Sequence, residues 1–170
     1  MKLYDRVEIT SWFHIHFIEN PGMAWGITWG GVVGKIALTL FRIIAIVGII
    51  YWLRQRVKSG TGATGIWGIS LILAGAIGNV IDGLFYGILF SKSTPYEVAS
   101  FWPAESSDPF LQGKEVDMLH FPLFEGHFPQ WFPIWGGEAF SFFQPVFNIA
   151  DVAITVGVAM LILFQRSVFK

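Results

Sequence analysis

Three runs of the sequence, 32–53, 66–90 and 146–164, stay apolar for about the 20 residues that a helix needs to cross a bilayer. Nothing else in the chain constrains its fold as tightly. In hydrocarbon a single segment satisfies its backbone hydrogen bonds only as a helix. Composition agrees: 54% of residues are hydrophobic and 14% charged, far from the balance of a soluble domain. The fold class expected is therefore an α-helical integral membrane protein, a transmembrane bundle with three visible spans. The chain has no cysteine, which excludes disulfides, thiol nucleophiles and cysteine metal sites. No basic stripe points to nucleic acid.

Charge sets the orientation. Arg54, Arg56 and Lys58 crowd the first connection, and Arg166 and Lys170 follow the last run, so those ends face the cytoplasm. Segment 91–145 carries Lys92 and Lys114 against Glu97, Glu105, Asp108, Glu115, Asp117, Glu125 and Glu138, and is placed outside. One domain over 1–170 is expected: an outer β-rich segment 1–31, a span 32–53, a cytoplasmic loop 54–65, a span 66–90, an outer segment 91–145, a span 146–164 and a cytoplasmic tail 165–170. Segment 1–31 contains Lys2, Asp5, Arg6, Glu8 and Glu19, with no helix before it to carry it across. A further spanning helix is therefore expected upstream in the parent protein.

The outer parts have patterns of their own. In "VEITSWFHIHFI" the residues Val7, Ile9, Phe13, Ile15 and Phe17 are expected on one face of a half-buried strand that the turn signal "ENPG" ends. A small extracytoplasmic β-sheet resting on the membrane is the expectation. "FPLFEGHFPQWFPIWGGEAFSFF" mixes Phe and Trp with Pro and Gly, which suits the headgroup region. Interfacial anchoring and a lid over a lipid-exposed site are both open for it.

Polar residues inside the spans narrow the function. Asn79 and Asp82 lie three apart among glycines of the second run, and Asn148 and Asp151 repeat that spacing in the third. Asparagine alone fits interhelical hydrogen bonding. A carboxylate at membrane depth is a functional candidate by default, and Asp82 and Asp151 make two. A zinc site at His14, His16, His120 and His127 and a proton-coupled transporter are weaker readings: the histidines have no recognisable ligand spacing, and the spans show no repeat.

Four short motifs then occur in order along nearly the whole chain: "NPGMAW" at 20–25, "GNVID" at 78–82, "EVDM" at 115–118 and "FNIAD" at 147–151. Together they resemble those of the lipoprotein signal peptidases, the type II signal peptidases of bacteria. The resemblance implies a four-helix membrane aspartic protease in the cytoplasmic (inner) membrane, with its active site near the outer face. It implies Asp117 and Asp151 as the catalytic pair and Asp82 as a supporting residue. Asn20, Gly22, Asn79 and Asn148 would bind substrate or orient the aspartates. It also implies a monomer that uses no cofactor and no metal, whose partners are membrane lipids and lipidated prolipoproteins. The signal peptide would be removed before a diacylglyceryl-modified cysteine. Two carboxylates suit this chemistry, because one accepts a proton from water while the other, protonated, polarises the scissile carbonyl.

Two departures stand out. The family's first motif is absent together with its helix, which keeps a non-catalytic lipopeptide-binding relative as the alternative. Gly83 stands where the third motif usually has arginine. Arg42 is roughly 15 Å below the outer end of its run and Asp82 roughly 12 Å below the end of the next. Arg42 is therefore expected to pair with Asp82 and supply the charge that Gly83 lacks.

Overall fold

The computed structural model describes residues 1–22 and 30–168. The second half of the 20–25 motif and Lys170 lie outside them. Along the chain run β1 (Arg6–Thr10), β2 (Phe13–Asn20), α1 (Gly31–Lys58), α2 (Ala63–Leu89), β3 (Glu115–His120), β4 (Phe124–His127), β5 (Ala139–Phe142), β6 (Val146–Phe147), α3 (Ile149–Leu163) and α4 (Gln165–Val168). The strands form a four-stranded antiparallel sheet in the order β1-β2-β3-β6 and a separate hairpin of β4 with β5.

α1 and α2 are long and apolar enough to cross a membrane, and α3 is a shorter apolar helix. Their bounds differ from the expected spans in two informative places. The loop expected over 54–65 is mostly helix: α1 continues through Arg56 and Lys58 in its last turn, where cations complement the exposed carbonyl ends. At the other junction, Val146 and Phe147 are not helical. They pair with His120 and Leu119 of β3 as the fourth strand, and the helix starts only at Ile149.

The single strand expected over "VEITSWFHIHFI" is a hairpin, β1 turning into β2 at Ser11 and Trp12. Its register slips between Glu8 and Thr10. Such a bulge re-aims the side chains beyond it, and β2 slips again against β3 between Ile15 and Ile18, so the simple alternation is broken on both strands. Val7 and Ile9 stay exposed on β1, whereas Phe17 of β2 is buried.

Small residues hold α2 against α3. A Cβ placed at Gly157 would come within 2.6 Å of the Gly68 carbonyl oxygen and 3.0 Å of the Ile72 amide nitrogen. A Cβ at Gly78 would meet that of Ala150 at 3.2 Å. Backbones at this spacing pack without a layer of side chains between them, as helices in lipid commonly do. The outward faces are the inverse of a soluble surface: Val33, Phe41, Ile44, Val47 and Tyr51 of α1 are all exposed, as are Ile81 and Phe85 of α2.

Gly157→Val is therefore expected to destabilise the purified protein by about 1–3 kcal/mol through overpacking against backbone that cannot retreat. Gly48→Ala, where a Cβ would meet nothing within 4 Å, should be neutral. Thermal unfolding of the two variants in detergent checks this, and equal stability would contradict the close-packed interface.

Candidate active site

α3 starts with a reciprocal cap. Asn148, in extended conformation, is the N-cap: its Oδ1 accepts from the Asp151 backbone N–H at 2.9 Å, and its own N–H donates to Asp151 Oδ2 at 3.1 Å. This arrangement, an N-cap residue and a carboxylate three positions later, satisfies two backbone donors that a helix start would otherwise leave open. It fixes Asp151 at the third helical position. The spacing in "FNIAD" carries that cap signal directly, although periodicity alone places both residues inside a span.

The second carboxylate comes from the sheet. Asp117 lies mid-strand in β3 and is 2% exposed. Its Oδ2 accepts from Asn20 Nδ2 at 2.9 Å and its Oδ1 from Asn148 Nδ2 at 2.9 Å. The same Asn148 amide nitrogen donates to Asn79 Oδ1 at 3.2 Å, and Asn79 Nδ2 donates to Asp151 Oδ1 at 3.0 Å. Asp117 and Asp151, 34 residues apart in sequence, thus belong to one hydrogen-bonded network with three asparagines from β2, α2 and the cap of α3. Burial pushes the Asp117 carboxyl up to about 6; the charge of Asp151 adds to this rise, while the donors Asn20 and Asn148 oppose it.

Beside the network is a cavity of about 380 Å³ between the sheet, the C-terminal half of α2 and the start of α3. Ile15, Val116, Met118, Leu119, Ile149 and Ala150 give it apolar walls, and Asn79, Asp82 and Asn148 a polar one. Asp82 faces it and accepts from the Val116 N–H at 3.3 Å.

Arg42 does not pair with Asp82. Its guanidinium engages Glu115 Oε1 and donates to the Gly22 carbonyl at 2.9 Å. Both groups meet the same strand: Arg42 contacts Glu115 and Asp82 contacts Val116, consecutive residues of β3. Glu115 was not legible as a site residue, because its motif position gave no hint that its carboxyl is buried against a cation. Burial raises that carboxyl above the usual range, and Arg42 opposes the rise. Gly83 is buried, and its carbonyl accepts from the Gly113 N–H at 2.9 Å.

Three of the four histidines lie together and the fourth is apart. His14 faces His120 across β2 and β3, the His16 ring is 5.7 Å from that of His120, and His127 belongs to the other sheet. Arg6 Nη2 donates to His14 Nδ1 at 2.8 Å. Among the described residues no set of three or more His, Cys, Asp or Glu is arranged to hold a metal ion.

Comparison with known proteins extends the picture. Residues 1–166 match a family model described as Signal peptidase (SPase) II. The chain is similar to a lipoprotein signal peptidase of Porphyromonas gingivalis, at 45% identity over 163 residues that cover 94% of this chain and 70% of that one. It is also similar to one of Amoebophilus asiaticus, at 39% identity over 92% of this chain and 63% of that one. Among solved structures, a bacterial membrane enzyme determined by the in meso method at 1.9 Å shares 26% identity and a TM-score of 0.59, covering 97% of this chain and 77% of that chain.

The Asp117 carboxyl should titrate near pH 6, as read from an infrared carboxylic-acid band that Asp117→Asn removes. Because this pKa is raised in the fold, the stability linked to it is full below the ordinary carboxylate value of about 4 and is lost as pH rises through about 6. A band titrating at or below pH 4 would contradict the burial argument.

Proposed function

Because the chain belongs to the signal peptidase II family, we propose that it removes the signal peptides of bacterial prolipoproteins by aspartic catalysis at Asp117 and Asp151. The observation that carries the proposal is the network linking those two carboxyls through Asn79 and Asn148. Two neighbouring carboxyls that share one proton supply a base and an acid together. Asp117, holding its proton to about pH 6, donates a hydrogen bond to the scissile carbonyl oxygen. Asp151 takes a proton from water as the water oxygen adds to the carbonyl carbon. The carbon–nitrogen bond then breaks as the leaving amine takes the proton that Asp151 accepted from water, and the new carboxyl forms on the signal-peptide side. Asn20, Asn79 and Asn148 fix the pair, and Gly22 and Asp82 support it.

The apolar cavity receives the extended substrate against β3, with the cut placed before a diacylglyceryl-modified cysteine whose chains stay in the bilayer. α1, α2 and α3 each cross the cytoplasmic membrane. Arg54, Arg56 and Lys58 lie at the inner end, and the sheet and active site near the outer face. The chain acts as a monomer within a single peptidase domain. The β4–β5 hairpin lies at the interface as a lid: Phe128 packs against Phe132 and Phe140 with centroids at 5.1 and 4.9 Å, while Trp131 and Ile134 are 79% and 86% exposed. Aromatic groups are favoured at that level of a bilayer.

Asp117→Asn and Asp151→Asn should each lower cleavage of a lipidated precursor by about 10²- to 10⁴-fold while leaving membrane insertion intact, since only the proton inventory changes. Either variant turning over at near the parent rate would end the proposal. Asp82→Asn should cost less.

The lid has its own test. Trp131→Ser combined with Ile134→Ser should raise KM for the precursor several-fold in bilayers without reducing insertion. Equal loss of both would mean that the hairpin is only an anchor.

A further inference from the structure

Arg42 is an apolar-span cation that the proposed chemistry does not use, and its side chain is 26% exposed beside a Glu115 side chain that is 6% exposed. Buried ion pairs are poor stabilisers but good at fixing one arrangement over another. What Arg42 fixes can be traced bond by bond. One arm holds Glu115, whose register partner across β2 and β3 is Asn20. The other arm holds the Gly22 carbonyl at 2.9 Å. Gly22 N–H in turn donates to Asn20 Oδ1 at 2.9 Å, and that bond orients the Asn20 amide so that Nδ2 points at Asp117 Oδ2, 2.9 Å away.

We propose that Arg42, with Glu115 and Gly22, is a positioning clamp that holds Asn20 on the Asp117 carboxylate. The inference rests on the reading of Asp117 as half of the catalytic pair. It replaces pairing with Asp82 by an action through the end of β2.

The geometry explains why position 22 is glycine. Its φ is +89°, in the left-handed region, and a Cβ there would come within 3.0 Å of both Arg42 Nη1 and Glu115 Oε1. Any side chain is both strained and pressed into the ion pair. Lysine at 42 has a point charge and cannot serve the carboxylate and the carbonyl with one planar fork.

The sign of the expected effect follows from the hydrogen bonds. Asn20 donates to the ionised form of Asp117 and so holds its pKa down. Loosening Asn20 lets that pKa rise. Because protonated Asp117 is the active form, the alkaline limb of the pH–rate profile moves to higher pH.

The test uses the whole protein in detergent and bilayers with a lipidated precursor. Arg42→Leu should lower kcat by about 10- to 100-fold with KM little changed, the scale of a misplaced catalytic group. It should also move the alkaline limb and the infrared titration of Asp117 to higher pH. Asn20→Ala should do the same, and the double variant should be no worse than the weaker single, because both act along one path. Gly22→Ala should reproduce the shift, and it carries the test if Arg42→Leu fails to insert. The clamp is overturned if Arg42→Leu leaves kcat at the parent value, or if its loss multiplies with that of Asn20→Ala and the profile stays in place. The infrared titration does not need turnover, so failure of the clamp is separable from failure of the Asp117 assignment, which an active Asp117→Asn would expose.

Discussion

A carboxylate removed from water needs donors, and the arrangement of this protein depends on how two of them are satisfied with little added charge. The side-chain donors are carboxamides, joined at Asp151 by the Asn148 backbone N–H. Asparagine offers two N–H groups and an acceptor oxygen, so one side chain can connect groups on different elements. Asn148 does this most fully: its oxygen caps α3, and its amide nitrogen reaches both Asp117 on the sheet and Asn79 on α2. The cap, the strand and the helix are thereby registered by one residue.

The second constraint is that the chain leading into β3 is bonded to both α1 and α2. Thr39 of α1 donates to the Leu111 carbonyl at 3.2 Å, and the Gly113 N–H donates to Gly83 of α2 at 2.9 Å. A Cβ at Gly113 would come within 2.6 Å of the Asp82 carbonyl oxygen, so this segment lies on α2 with no room for a side chain. Held on both sides, the strand presents Asp117 beside the start of α3. Nearby, the Glu19 carboxylate takes a 2.8 Å bond from Lys114 and a 3.1 Å bond from Tyr86, which ties β2 to α2 on the other side of the sheet.

These polar ties matter because the helices supply few of their own. α1 turns most of its apolar surface outward, so lipid is as good a neighbour for it as protein, and hydrophobic burial gives it no fixed rotation. Among the described residues, Thr39 bonds the Leu111 carbonyl and Arg42 bonds Glu115 and Gly22, and these contacts help to set which face of α1 meets the site.

By itself the sequence determined what short-range chemistry and period can encode: apolar runs long enough to cross a membrane, the polarity of the connections, and the motifs that carry Asp117, Asp151 and the three asparagines. The cap formed by Asn148 and Asp151 is equally local and was available in the four residues of "NIAD". Tertiary structure alone decided the partners. Residue counting puts Arg42 and Asp82 at matching depth, yet each meets a different residue of a strand more than thirty residues further along the chain, Arg42 through Glu115 and Asp82 through Val116, and depth along a helix axis says nothing about what arrives beside it. The slip of β2 against β3 between Ile15 and Ile18, and the loss of Val146 and Phe147 from the last helix to the sheet, have the same cause. In each, hydrogen bonding to a sequence-distant strand outweighed a local pattern, and a linear pattern carries no record of which distant backbone will arrive to pair with it.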